Sequence, residues 1–207
     1  YLGKLEIKNM SFSYKISGKQ HVFIHIPKNG GKSLIKALRD FETHRPKISH
    51  LTYLETKNIV KECDNYFCTI RNPWERMVSY YNYISQKSPK EHGVKDLNLK
   101  IRNGFSFDEF VDEIIKDDRL IFRPQIEYMT DKEGVICVKA IKLENIKEEI
   151  NKYLINNGYK GVDINIPQIN TSKHEHYSSF YKNESAIEKV CFYEKDVIKE
   201  FNYNFKK

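Results

Sequence analysis

Six consecutive residues, Lys28-Asn29-Gly30-Gly31-Lys32-Ser33, combine two mobile positive charges, a glycine pair and a hydroxyl. That mixture is chemistry for an anion. The glycines let backbone N–H groups approach oxygens with no Cβ in the way, and a helix opening near Ser33 adds the positive end of its dipole. Further along, Arg71 leaves the apolar run Tyr66-Phe67-Cys68-Thr69-Ile70, and Ser79 follows it. A guanidinium offers phosphate a planar fork, and a serine hydroxyl is a donor at any pH. Alone, Arg71 is as well explained by a surface salt bridge. Beside an anion loop on a neighbouring strand it reads as a phosphate ligand.

The surrounding elements supply that neighbour. His21-Val22-Phe23-Ile24-His25-Ile26 reads as a buried strand ending at the Pro27-Lys28 turn, with His25 structural, and the spacing of Leu34, Ile35, Ala37, Leu38 and Phe41 predicts a helix to about residue 42. Before it, the period-two pattern through Phe12, Tyr14 and Ile16 predicts one or two edge strands or an arm, turned at Gly18-Lys19. Leu54, Ile59 and Val60 mark a short helix. Tyr66–Ile70 is a second strand, and Asn72 and Pro73 cap and open a helix reaching Ser85. Residues 86–104 read as a polar surface loop whose Lys87, Lys90, Lys95, Lys100 and Arg102 suit an acidic acceptor. Ser106 and Glu109 form a capping box, Val135–Ile141 a third apolar strand, and Asn145–Asn156 a helix stopped at Asn157-Gly158. After a mostly irregular stretch over 157–182, a capping box from Ser185 to Glu188 opens a last helix through Phe201. The alternation predicts an α/β fold: one P-loop-like domain over 1–207 with a central, mainly parallel sheet flanked by helices, residues 1–20 forming the N-terminal strands or arm.

Gly31-Lys32-Ser33 matches the last three residues of a Walker A loop, but the glycine that motif needs five positions before Gly31 is Ile26. The stretch instead resembles the 5′-phosphosulfate loop of sulfotransferases that use 3′-phosphoadenosine 5′-phosphosulfate (PAPS), which reads Pro-Lys-x-Gly-Gly-Thr-Ser, with Lys32 where that family has Thr. Arg71-Asn72-Pro73-x-x-Arg76-x-x-Ser79-x-Tyr81 resembles the family's grip on the 3′-phosphate. His50-Leu51-Thr52-Tyr53-Leu54 is similar to a histidine segment of its carbohydrate sulfotransferases, including heparan sulfate 2-O-sulfotransferases. Arg123-Pro124-Gln125-Ile126-Glu127-Tyr128, Lys142-Leu143-Glu144-Asn145-Ile146 and Tyr193-Glu194-Lys195-Asp196 through Tyr203 resemble stretches of bacterial members, so the likeness runs from residue 21 to 203.

The resemblance implies transfer of a sulfuryl group from PAPS to a carbohydrate hydroxyl, leaving 3′-phosphoadenosine 5′-phosphate (PAP). It implies no metal. Lys28 would stabilise the leaving oxygen. Asn29, the backbone N–H groups of Gly30, Gly31, Lys32 and Ser33, and the Ser33 hydroxyl would cradle the 5′-phosphate, while Arg71 and Ser79 take the 3′-phosphate. His50 is the general base by residue type and by the likeness, with packing as its bland explanation, His44 as nearest rival, and Glu55 and Glu127 as carboxylate alternatives. Lys32 is open between the donor, an acidic acceptor and solvent. Two other classes stay in view: a P-loop nucleotide or metabolite kinase, which needs Mg²⁺ and an acidic residue ending a strand, and a non-catalytic basic glycan-binding module.

Composition narrows the rest. A length of 207 residues suits one domain, and charged residues at 30% put the chain outside the membrane class, with no apolar run of roughly 18 residues. A net charge of +7 favours polyanionic ligands, whether nucleotide, acidic glycan, nucleic acid or anionic lipid, although a solvated lysine-rich surface explains much of it equally well; the resemblance narrows these to an acidic polysaccharide or glycolipid with no nucleic acid. Cys63, Cys68, Cys137 and Cys191 are scattered and form no C-x-x-C pair, which predicts a reducing, cytoplasmic setting. The chain opens at Tyr1, so a targeting or anchoring segment before it stays open. His174-Glu175-His176 offers too few ligands for a metal site, and Trp74, Tyr80, Tyr81, Tyr83 and Phe105 are read mainly as packing.

Overall fold

The computed structural model describes residues 12–44, 50–60, 62–86, 93–161, 163–167 and 175–206. They fall into two compact units, Tyr1–Arg71 with Gln125–Ile169, and Asn72–Pro124 with Asn170–Lys207. In chain order the strands are β1 (Phe12–Ile16), β2 (Lys19–Ile24), β3 (Glu42–His44), β4 (Asn65–Ile70) and β5 (Lys139–Lys142). The helices are α1 (Gly31–Ala37), α2 (Tyr53–Ile59), α3 (Pro73–Gln86), α4 (Lys95–Arg102), α5 (Phe107–Lys116), α6 (Ile146–Asn156), α7 (Glu184–Tyr193) and α8 (Lys195–Phe201).

The first unit holds the sheet, in the order β3-β1-β2-β4-β5. β2, β4 and β5 pair in parallel, while β1 lies antiparallel to β2 and to β3, so four of five strands share one direction. An α/β fold with a mainly parallel sheet is thus present. Phe12, Tyr14 and Ile16 project from one face of β1 and pack with Phe23, Phe67 and Ile141 from the neighbouring strands. Leu34, Ile35 and Leu38 from α1 and its end, and Ile150, Tyr153 and Leu154 of α6, close that layer at helical spacing. The chain leaves β2 toward β3 on one side and β4 toward β5 on the other. The carboxyl ends of the adjacent strands β2 and β4 therefore flank a topological switch point, the place where open α/β sheets bind ligands.

The second unit is helical and aromatic. Tyr81 of α3 meets Phe107 and Phe110 of α5 edge-on at 5.5 and 5.3 Å, and Phe107 meets Tyr181 at 4.8 Å. Trp74 and Tyr80 are buried as well, so packing is what these aromatics do. Asn72 caps α3 as expected, its Oδ1 accepting from the N–H groups of Trp74 and Glu75 at 3.1 and 3.2 Å.

Several elements depart from the sequence reading. Among residues 86–104, Lys95–Arg102 is helix α4, because Val94, Leu97 and Ile101 at i, i+3 and i+7 give it an apolar stripe, and Val94 and Leu97 are buried. Lys87 and Lys90 lie outside the described residues, as do residues 1–11 of the arm and residues 168–174 of the irregular stretch, His174 included. Glu42–His44 is a strand covering β1, which is therefore not an edge. The hairpin turn is Ser17-Gly18, whose φ values of 48° and 86° are the paired positive angles of a type I′ turn. β5 is shorter than expected and Val135 is exposed. Asn183 rather than Ser185 precedes α7, and the last helix breaks at Glu194.

Candidate functional site

The loop from His25 to Gly30 joins β2 to α1, and its backbone sets the chemistry. Lys28 has φ of 66° and Gly30 of 72°, while Asn29 between them is not positive. Such alternation turns successive N–H groups toward one side, as in anion-binding nests. The Ser33 N–H donates to the Gly30 carbonyl at 3.0 Å, so it is taken by the turn rather than open to a ligand as expected. No described residue accepts from the N–H groups of Gly30, Gly31 or Lys32. The glycines also sit against side chains: a Cβ on Gly31 would lie 2.2 Å from His25 Cδ2, and one on Gly30 would lie 2.4 Å from the end of the Leu143 side chain.

His25 stacks on Phe23 at 5.7 Å, meets Phe12 edge-on at 5.9 Å, and lies 4.6 Å from the His50 ring. Burial, reinforced by the nearby positive charges of His50 and Lys32, lowers its pKa to about 3, so it is neutral near pH 7. Through His25, His50 is brought to the loop. The Nδ1 of His50 stands 3.0 Å from the His25 carbonyl oxygen. A carbonyl only accepts, so Nδ1 carries a proton, and in the neutral form of the ring the lone pair is on Nε2. His50 has φ of 150°, and with Lys28 it is one of four described non-glycine residues at positive φ. The two side chains for which the resemblance implies catalytic roles therefore both stand on a backbone that L residues avoid.

Arg71 follows β4 and joins the same cluster. Its Nη1 donates to the Lys28 carbonyl at 3.2 Å. Its main-chain N–H donates to Gln125 Oε1 at 2.9 Å, and Gln125 Nε2 donates back to its carbonyl at 2.9 Å. Asn29 turns inward: fully buried, its Nδ2 donates to Thr69 O at 2.8 Å and Gln125 Oε1 at 2.7 Å. Lys28 is half-buried and Lys32 exposed.

No protein-family model and no curated protein matches this chain. The site therefore stands on its own geometry.

The other candidates stand in different settings. Glu55 closes the capping box of α2, its Oε2 accepting from the Thr52 N–H at 2.7 Å. His44 on β3 pairs in register with Ser13 of β1, and Glu127 is exposed on the turn Gln125–Tyr128. In the second unit Ser79 is a buried residue of α3. Arg76 lies in a buried ion pair with Glu194 at 2.6 Å, also donating to Tyr80 Oη and the Arg123 carbonyl, so this arginine is structural. Among the described residues no three His, Cys, Asp or Glu side chains gather as a metal site, and no helix is long and apolar enough to cross a membrane. Gln125 was legible in sequence only as part of a resembling stretch; nothing in residue type marks a buried amide as a hub.

Proposed function

We propose that the chain is a PAPS-dependent sulfotransferase acting on a carbohydrate hydroxyl, with a single P-loop-like catalytic domain. One observation carries the reading: a Lys-x-Gly-Gly loop, whose Gly30, Gly31 and Lys32 N–H groups meet no acceptor among the described residues, and an arginine are hydrogen-bonded to one another at the carboxyl ends of two adjacent parallel strands. Two anion grips side by side suit a ligand with two separated phosphate groups, and adenosine 3′,5′-bisphosphates are such ligands.

In this reading Gly30, Gly31 and Lys32 hold the 5′ end through their N–H groups, Lys28 places positive charge at the leaving oxygen, and Arg71 faces the 3′-phosphate. Ser79 enters through the resemblance alone. His50 Nε2 accepts the proton of the acceptor hydroxyl as its oxygen bonds to sulfur, and the sulfur–oxygen bond to the phosphate breaks, releasing PAP. PAPS supplies the activated sulfuryl group. Positioning and fixed charge supply most of the rate. A positively charged chain suits an acidic glycan or glycolipid as acceptor.

The test is release of PAP from PAPS with a panel of acidic glycans as acceptors, run for the native protein and for His50→Ala. The native protein is expected to turn over with at least one acceptor, and His50→Ala to lose turnover while binding PAP as before. Turnover that survives in His50→Ala would place the base elsewhere.

A further inference from the structure

Pairing between β2 and β4 ends at Ile24 and Cys68, yet the two anion grips lie beyond that point. Something must fix their separation. Arg71 Nη1 reaches the Lys28 carbonyl directly, and Gln125, fully buried, is the side chain outside the two grips that the described bonds tie to both. Its carboxamide accepts from the Arg71 N–H and donates to the Arg71 carbonyl, the pair of bonds a neighbouring strand would make. The same Oε1 takes a second donor, Asn29 Nδ2. Swapping oxygen and nitrogen would set donor against donor at Asn29 and Arg71 and acceptor against acceptor at the Arg71 carbonyl, so one orientation is enforced. Each of these buried groups is costly to leave unpaired.

We infer that Gln125 is a positioning residue that sets the distance between the Lys28–Ser33 loop and Arg71, and thereby selects ligands carrying both a 3′- and a 5′-phosphate. This rests on the proposed function. Without Gln125, the loop would still present its N–H groups to a 5′-phosphate, but Arg71 would lose its register with it.

Isothermal titration of the full chain with PAP and with adenosine 5′-monophosphate, which lacks the 3′-phosphate, reads this directly. Gln125→Met keeps the length of the side chain and removes all three bonds. It is expected to weaken PAP binding roughly tenfold, equivalent to about 1.4 kcal/mol, with the monophosphate changed by less than about threefold. Gln125→Glu keeps the acceptor and serves if Gln125→Met does not fold; as pH falls, a protonated carboxyl donates again to the Arg71 carbonyl, and the preference for PAP is expected to recover relative to the native protein at the same pH. Equal weakening of both ligands, or an unchanged ratio, would show Gln125 to be merely structural and overturn the inference. A native protein that binds no PAP would overturn the functional proposal itself.

Discussion

Lys28 is where a residue's backbone and its chemistry conflict. Its φ of 66° strains any side chain with a Cβ, at a cost of about 1 kcal/mol, and glycine would be free of that strain. Lys28→Gly is therefore expected to keep or raise the melting temperature while abolishing turnover, as calorimetry beside the PAP-release assay would show. A loss of stability would mean that the lysine side chain holds the loop. His25 gives a second residue-scale expectation. Its folded pKa of about 3 lies below the unfolded value of 6.5, so the unfolded chain binds the proton first on acidification. The stability is whole above pH 6.5 and declines as pH falls from 6.5 toward 3, with a slope from this group of up to about 1.4 kcal/mol per pH unit. Urea denaturation at pH 7 and pH 5 should show a smaller loss for His25→Gln than for the native protein.

At the scale of elements, α3 depends on its neighbours more than on its own propensity. The Arg76–Glu194 pair buries two charges, and Glu194→Ala leaves a guanidinium with its carboxylate gone. The expected loss is about 3 kcal/mol in chemical denaturation; a loss below about 1 kcal/mol would mean that water reaches Arg76. This pair also shows where the sequence stops being legible. Arg76 stands in a phosphate-like motif, and only the fold reveals that Glu194, far along the chain, has claimed it. Strands with continuous apolar runs, such as β2 and β4, and helices with caps, such as α3 and α5, were readable because their signals are local. β3 and α4 were not: a three-residue strand has no period to detect, and the stripe of Val94, Leu97 and Ile101 is masked by the polar residues around it. The Lys28–Ser33 loop and Arg71 were legible as residue types, whereas the amide of Gln125 that joins them was not, since its role exists only in its hydrogen bonds.

For the whole molecule, the account turns on one ligand. The sheet order places the loop after β2 and the arginine after β4 at a switch point, and the net charge of +7 draws anions to the protein without choosing among them. Choice has to come from the geometry of the two grips. A thermal-shift titration with PAP in EDTA, beside ATP with Mg²⁺, separates the possibilities in one experiment. At ~100 times its dissociation constant, PAP is expected to stabilise the fold by roughly 2.7 kcal/mol whether or not metal is present. A shift with ATP and Mg²⁺ alone, or with neither ligand, would contradict the assignment of this site to a 3′,5′-bisphosphate nucleotide.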